Sequence, residues 1–326
     1  MILVTGATGI VGMQVVRDLV EKGYTVRAIR RKSSNVSWLA DIDEKIEWIE
    51  ADVVDLPSLE KAFKEVTHVI HCAAVVSFDN SNDQLMKKVN IEGTQNMLAL
   101  SQKHFVKKFI HISSVAAIGR SSNNAFITEE TKWTQSSLNT AYAVSKYQSE
   151  LEVWRAQEEG LSTVILNPSV VIGPGPWINS SLNLFKHVKD GNPIYPVGSV
   201  NCVDVRDISL AALKLIESPI EAERFVLNSE MITYKEFFEL IAKAMNKKAP
   251  RFKINPSLAI FAASILKPLK LLGVKTNITK EAVVLSQLNT MFSSEKAERI
   301  LGIKFKPVQE SVNWAYQQIL SKGFEP

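Results

Sequence analysis

Apolar positions along the chain follow two alternating rhythms. Short runs rich in Val and Ile, "MILVTG", "YTVRAIR", "KIEWIEAD", "THVIHCAA", "KKFIHISS" and "STVILNPS", are separated by longer stretches with helical spacing. Short buried strands alternating with helices build a parallel sheet covered on both faces. The helices are read from "GMQVVRDLVEKG", "SLEKAFKEV", "QLMKKVNIEGTQNMLALSQKH" and "AYAVSKYQSELEVWRAQEEG", the first and last of which stop at a glycine. After Asn167 the rhythm breaks, because "NPSVVIGPGPWINSS" and "DGNPIYPVGSVN" are dense in Pro, Gly and Asn and predict long loops. A strand and helix in "NCVDVRDISLAALKLIE" and a strand in "RFVLNS" follow, and from Met231 the pattern is mainly helical. The expected fold class is α/β, a doubly wound parallel sheet formed by residues 1–166 with 201–229. A smaller, mainly helical domain of residues 167–200 with 230–326 carries the substrate side. No internal repeat or low-complexity segment interrupts this plan.

Composition narrows the function classes. With 326 residues, 46% of them apolar, the chain can bury a large core. Its 38 basic and 34 acidic residues are interspersed and leave a net charge of +4, so no nucleic-acid partner is expected. Cys72 and Cys202 sit in no CxxC spacing and near no ligand-spaced histidine, which fits reduced thiols, a cytoplasmic setting and no metal. The strand-like "MILVT" at residue 1 leaves no room for a signal peptide. The apolar segment from Pro256 to Gly273 is interrupted by Lys267, Pro268 and Lys270, so a core or pocket-wall helix is expected there and no membrane span.

The run "ILVTGATGIVG" carries a strand into Gly6, Gly9 and Gly12 and then into a helix. Glycines at this point permit a tight turn and close backbone approach, while the helix start offers its N–H groups to a pyrophosphate, so a dinucleotide site is expected. A carboxylate at the end of the second strand would hold a ribose 2′-hydroxyl. None occurs from Lys22 to Ala40; the strand ends in Arg30, Arg31 and Lys32 followed by two serines. A cationic fork suits a 2′-phosphate, which favours NADP(H) over NAD(H), the other reading being a solvated basic turn. Asp52, in "EADVVD", is either an acceptor for the adenine amino group or a turn carboxylate.

A helix from Thr140 to Glu159, turning about 100° per residue, collects Val144, Tyr147, Leu151 and Trp154 on one stripe. Tyr142 and Lys146 lie together on the opposite side, within reach of each other. A tyrosine is a poor proton donor near neutrality, but an adjacent ammonium stabilises its phenolate and makes it a usable general acid. The lysine can also donate to ribose hydroxyls, although a Tyr–Lys pair on a wet helix face has the same spacing. Ser114, at the end of the strand "FIHISS", adds a hydroxyl where strand ends open on a common crevice, suited to a carbonyl oxygen gaining negative charge. Ser113 is the near alternative, because strand alternation lets only one of the two face the substrate.

With "HCAA", "NIEGTQNML", "ISSVAAIG", "YAVSK", "NPSVVIGPG", "VDVRDIS" and "SSEKAERILG", these segments resemble the extended short-chain dehydrogenases/reductases of the NAD-dependent epimerase/dehydratase superfamily. The resemblance covers essentially the whole chain and leans to the dihydroflavonol 4-reductase branch. It implies a Rossmann fold and a catalytic Ser114, Tyr142 and Lys146, with Tyr142 as acid/base. It also implies cofactor contacts from Gly6, Thr8, Gly9, Ile10, Gly12, Arg30, Asp52, Val53, Ala73, Ala74, Asn90, Tyr142, Lys146, Pro168 and Val170, and a homodimer. Asn90 is either such a contact or a brace, and His71 and His111 are expected to be satisfied structural residues. Asn167 stands where many members have Arg, and no "RYFN" occurs, which is more similar to reductases of ketones and aldehydes than to sugar-nucleotide epimerases. The expected activity is an NAD(P)H-dependent oxidoreductase acting on a small carbonyl or secondary alcohol. The alternatives are an epimerase or dehydratase that retains NAD and a non-catalytic NAD(P)H sensor. The apolar stretch Ala259 to Leu272 is read as helix packing or as a greasy wall for the substrate.

Overall fold

Strand and helix alternate as the periodicity demands in a computed structural model that describes residues 1–119, 126–175, 181–255, 257 and 280–323. The described strands are β1 (Ile2–Thr5), β2 (Val26–Arg30), β3 (Ile46–Glu50), β4 (His68–His71), β5 (Lys108–Ile112), β6 (Phe126–Ile127), β7 (Thr163–Pro168), β8 (Val170–Ile172), β9 (Ile194–Tyr195), β10 (Ser199–Asp204), β11 (Glu223–Leu227), β12 (Glu230–Thr233), β13 (Phe252–Lys253) and β14 (Met291–Phe292). The described helices are α1 (Ile10–Glu21), α2 (Leu56–Glu60), α3 (Asp83–Met86), α4 (Gly93–Lys103), α5 (Ala141–Glu158), α6 (Leu182–Lys189), α7 (Val205–Ile216), α8 (Tyr234–Ala244), α9 (Lys280–Leu285), α10 (Glu295–Leu301) and α11 (Val308–Ser321).

Seven strands form one parallel sheet in the order β11-β7-β5-β4-β1-β2-β3. This is the Rossmann-type, doubly wound arrangement that the alternating pattern predicts. Winding reverses between β1 and β4, and a sheet of this kind opens its ligand crevice at the carboxyl ends of the strands flanking that point. The inner strands are buried on both faces, which is why they read as continuous apolar runs. Alternation sends Ile2 and Val4 into the core beneath α1 and α7, and Leu3 into the opposite one with Phe63, Met97 and Phe109. A fully buried side chain of this size contributes about 1.5–3 kcal/mol, so the two layers hold the sheet rigid beneath the crevice.

One local reading is corrected, and the structure orients α5. The stretch "SVVIG" is not all loop: Val170–Ile172 pairs in parallel with Cys202–Asp204, and β10 pairs antiparallel with β12, giving a separate three-stranded sheet. Proline and glycine density around a three-residue strand hid it. The apolar stripe of α5 is also not its core side. Leu151 is 48% exposed and Val144, Tyr147 and Trp154 are only half-buried, with Tyr147 stacked on Trp133 at 4.3 Å. The side facing the sheet carries Ala143, Ser145, Lys146, Ser149, Glu150, Val153 and Ala156. Partners on neighbouring elements satisfy those polar groups, a fact that periodicity cannot register. The apolar stretch Ala259 to Leu272 lies outside the described residues.

Candidate active site

The glycine turn has the shape its residues predicted. Gly6 adopts φ +62°, and a Cβ there would meet Ala73 N at 2.7 Å; a Cβ on Gly12 would lie 2.2 Å from the Gly6 carbonyl oxygen. Both positions therefore exclude side chains, one by conformation and one by contact between backbones. Gly9 precedes α1 with no side-chain cap and no acidic residue in the first turn. The helix N-terminus consequently keeps its N–H groups and positive dipole end for an anion, the chemistry a dinucleotide pyrophosphate requires.

Of the remaining predicted contacts, Arg30, Asp52, Val53, Ala73, Ala74 and Pro168 lie at or just after the carboxyl ends of strands of the central sheet. Arg30 closes β2 half-buried, its guanidinium 5.5 Å from the ring centre of Trp48, while Arg31 and Lys32 are exposed. Asp52 accepts from Val54 N at 3.2 Å, and Val53 packs on the backbone of Gly93, where a Cβ would come within 2.8 Å of its methyl group. Ala73 follows β4 and donates its N–H to Thr5 Oγ1 at 3.2 Å. Asn90 makes bracing hydrogen bonds: its amide accepts from Val75 N at 2.7 Å and donates to Val75 O at 3.0 Å and Ser145 Oγ at 2.9 Å. It ties the chain beyond Ala73 and Ala74 to α5 from a wide π-type turn over Lys87–Glu92. Thr8 and Ile10 flank Gly9, and Pro168 and Val170 lie at the ends of β7 and β8.

Helix α5 begins at Ala141, capped by the Thr140 hydroxyl, which accepts from Ala143 N at 3.1 Å. That cap sets Tyr142 in the first turn, half-buried, with Lys146 one turn on and 1% exposed. Lys146 Nζ donates to Ile112 O at 2.9 Å and lies 3.4 Å from His111 Nε2. Burial pushes the lysine down to about 8, opposed mainly by the charge of Glu150. The two strand serines part as alternation requires. Ser113 is buried and its hydroxyl donates to Glu150, whereas Ser114 is half-buried at the strand end and its hydroxyl accepts from Ala116 N at 3.2 Å. Of the two serines, Ser114 is the one whose hydroxyl is not engaged by Glu150.

His71 is hydrogen-bonded at both ring nitrogens, to Thr5 Oγ1 at 2.7 Å and Thr94 Oγ1 at 3.1 Å, and burial pushes it down to about 3. His111 stacks on it, and burial holds it well below the ordinary histidine value, but its Nδ1 has no hydrogen-bond partner among the described residues, so the expectation of a satisfied ring holds for His71 and not for His111. Both are neutral rings of the sheet core. No cluster of His, Cys, Asp or Glu suited to a metal occurs among the described residues, and none of their helices is long and apolar enough to cross a membrane. Sequence reading missed Glu150. Its signal was the continuation of the Tyr142 and Lys146 spacing by four more residues.

The model of the NAD dependent epimerase/dehydratase family matches residues 2–227. A putative dihydroflavonol 4-reductase of Synechocystis is 29% identical over 98% of this chain and 95% of its own. Cinnamoyl-CoA reductase 1 of Petunia hybrida is 26% identical over 100% of this chain and 93% of its own. The crystal structure of gox2253 superposes with a TM-score of 0.85 at 30% identity, covering 100% of this chain and 99% of that one. The chain therefore belongs to the NAD-dependent epimerase/dehydratase family, among the extended short-chain dehydrogenases/reductases, and is an NAD(P)-dependent oxidoreductase.

Proposed function

We propose that the protein is an NADPH-dependent reductase of a ketone or aldehyde, with Tyr142 as general acid, Ser114 as orienting donor and Lys146 as the residue that tunes the phenol. The observation that carries this reading is the first turn of α5, where half-buried Tyr142 stands one turn before a buried Lys146 whose Nζ donates to the carbonyl oxygen of Ile112, two residues before Ser114. The names of the relatives, dihydroflavonol 4-reductase and cinnamoyl-CoA reductase, support carbonyl reduction. Val76 and Phe78, exposed just beyond the Ala73–Ala74 turn, support an apolar or aromatic substrate.

The Gly6–Gly12 turn and the start of α1 would hold the pyrophosphate, Arg30 the 2′-phosphate, and Lys146 the ribose. When bound, the nicotinamide would supply the hydride for the carbonyl carbon. Ser114 donates a hydrogen bond to the carbonyl oxygen as negative charge gathers on it. Tyr142 then gives that oxygen its phenolic proton, so the alcohol leaves neutral and a phenolate remains beside the Lys146 ammonium. The ammonium lowers the free energy of that phenolate, which brings the phenol towards a working pKa. The outward stripe of α5, with Leu151 half-exposed, supports pairing of two chains along this helix, which sedimentation of the purified protein tests.

A panel of aromatic, steroid-like and aliphatic ketones and aldehydes, followed by NADPH absorbance, tests the activity. Tyr142→Phe is expected to lower turnover by roughly 10²–10⁴-fold while leaving NADPH affinity within about twofold, and full activity in that variant would remove the mechanism. Co-purified NAD with no net NADPH consumption would identify an epimerase or dehydratase instead. Arg30→Ala is expected to weaken NADPH binding by about 10- to 100-fold, the worth of a charge-assisted hydrogen bond to phosphate. NADH binding should change by about twofold or less, and equal losses would show the basic turn to be solvated surface.

A further inference from the structure

The side of α5 that carries Tyr142 and Lys146 bears another charge one turn further on, Glu150, which is 1% exposed. Its Oε1 accepts from the Ser113 hydroxyl and, at 2.6 Å, from Asn167 Nδ2; its Oε2 lies 3.5 Å from Arg224 Nη1. The same Asn167 Nδ2 donates to the Ser114 carbonyl oxygen at 2.9 Å. The end of β5 is therefore fastened to α5 at three consecutive residues. Ile112 is held by Lys146, Ser113 by Glu150, and Ser114 by Asn167, itself bound to Glu150. A buried carboxylate is an expensive way to pack a helix on a sheet, where an apolar side chain of the same size would serve better. Its presence calls for a role that apolar contact cannot fill.

We propose that Glu150 is a positioning residue for the reaction: through Ser113 and Asn167 it fixes the Ser114 hydroxyl relative to Tyr142, and it sets its negative charge against the Lys146 ammonium. This rests on the catalytic reading of Ser114, Tyr142 and Lys146. The groups facing Lys146 are Glu150 on its own helix, His111 on β5 with His71 behind it, and Cys72 after β4. Those facing Glu150 are Lys146, Arg224 on β11 and the uncharged Ser113 and Asn167. Burial drives Lys146 towards the neutral amine, and Glu150 is the largest charge holding the proton on. The Glu150 carboxyl is itself raised by burial, against the opposing pull of Ser113, Arg224, Asn167 and Lys146.

Glu150→Gln keeps the shape and removes the charge. Two measurements on the full chain decide the matter: NADPH affinity by fluorescence across pH, and turnover of the carbonyl compound found in the panel. Taking away one negative charge makes nearby groups lose protons at lower pH. The alkaline fall in NADPH affinity is expected to move down by about one pH unit, and kcat to fall about 10- to 100-fold, with neutral-pH affinity within about threefold. Ser113→Ala, which removes one donor and no charge, should lower kcat about three- to tenfold with the pH profile in place. An unmoved profile and unchanged kcat in Glu150→Gln, or a change in melting temperature alone, would make the carboxylate a structural group and overturn the proposal. If that variant does not fold, an unchanged kcat in Ser113→Ala overturns it equally. The affinity profile needs no carbonyl compound, so it decides the point even if the panel yields none. Activity surviving in Tyr142→Phe would remove the catalytic reading; loss there beside a normal Glu150→Gln removes this proposal alone.

Discussion

Helices α1 and α5 both lie along the sheet and bury residues at the same three- and four-residue spacing, but what they bury is opposite in kind. On α1 the buried residues are Gly12, Met13, Val15, Val16 and Leu19, each large apolar side chain contributing about 1.5–3 kcal/mol. On α5 the corresponding positions include Ser145, Lys146, Ser149 and Glu150, and the apolar stripe faces outward. Two of those hydroxyls return to their own helix, Ser145 to Tyr142 O and Ser149 to Lys146 O, each at 2.8 Å. The first helix is held by the hydrophobic effect. The second adds hydrogen bonds and charge at its N-terminal half to the apolar contacts of Ala143, Val153 and Ala156, at a cost in stability.

Three substitutions sharpen the contrast, taken from the largest expected effect down. Leu19→Ala on α1 should destabilise the protein by about 2–5 kcal/mol and leave kcat of the folded fraction unchanged; denaturant melts with activity normalised to folded protein check both halves. Lys146→Met on α5 should do the reverse, abolishing turnover while stabilising the cofactor-free protein. Lysine falls from its ordinary 10.5 to about 8 on folding, so at neutral pH the fold carries a buried ammonium that costs roughly 3 kcal/mol. Losing its hydrogen bond to Ile112 O offsets part of that, leaving a net gain of about 1–3 kcal/mol. Below pH 8 the penalty is full. Between about 8 and 10.5 the unfolded chain binds more protons than the folded one, so this group's share of stability rises with pH, and in Lys146→Met that rise should vanish. Leu151→Ala, on the outward stripe, should change the stability of the single chain by about 0.5 kcal/mol or less; a larger loss in thermal melts would mean that the stripe is covered in solution.

Much of the cofactor half was legible because its determinants are local. Gly6 and Gly12 sit where no side chain fits, and the carboxylate-free stretch from Lys22 to Ala40 is a property of composition alone. The spacing of Tyr142 and Lys146 was likewise visible, as was the need for one of the two serines to turn away. Other features were not. Asn167 was noticed only as a departure from an arginine pattern, whereas the fold makes it the link between Glu150 and the Ser114 backbone. The strand at Val170–Ile172 exists because Cys202–Asp204 lies beside it, and nothing within its own three residues signals that pairing.

The linear chain by itself determined the alternating strands and helices of the central sheet, the glycine turn and the one-turn spacing of Tyr142 and Lys146, because backbone conformation and one-turn neighbours obey rules that act within a few residues. Tertiary structure alone decided which side of α5 is buried, which of Ser113 and Ser114 is bonded to Glu150, and that a carboxylate stands one turn beyond the lysine. Those outcomes depend on partners such as Ser113 and Asn167, 37 and 17 residues away from Glu150. Whether a polar group can be buried is settled by donors and acceptors that only the folded sheet brings within reach.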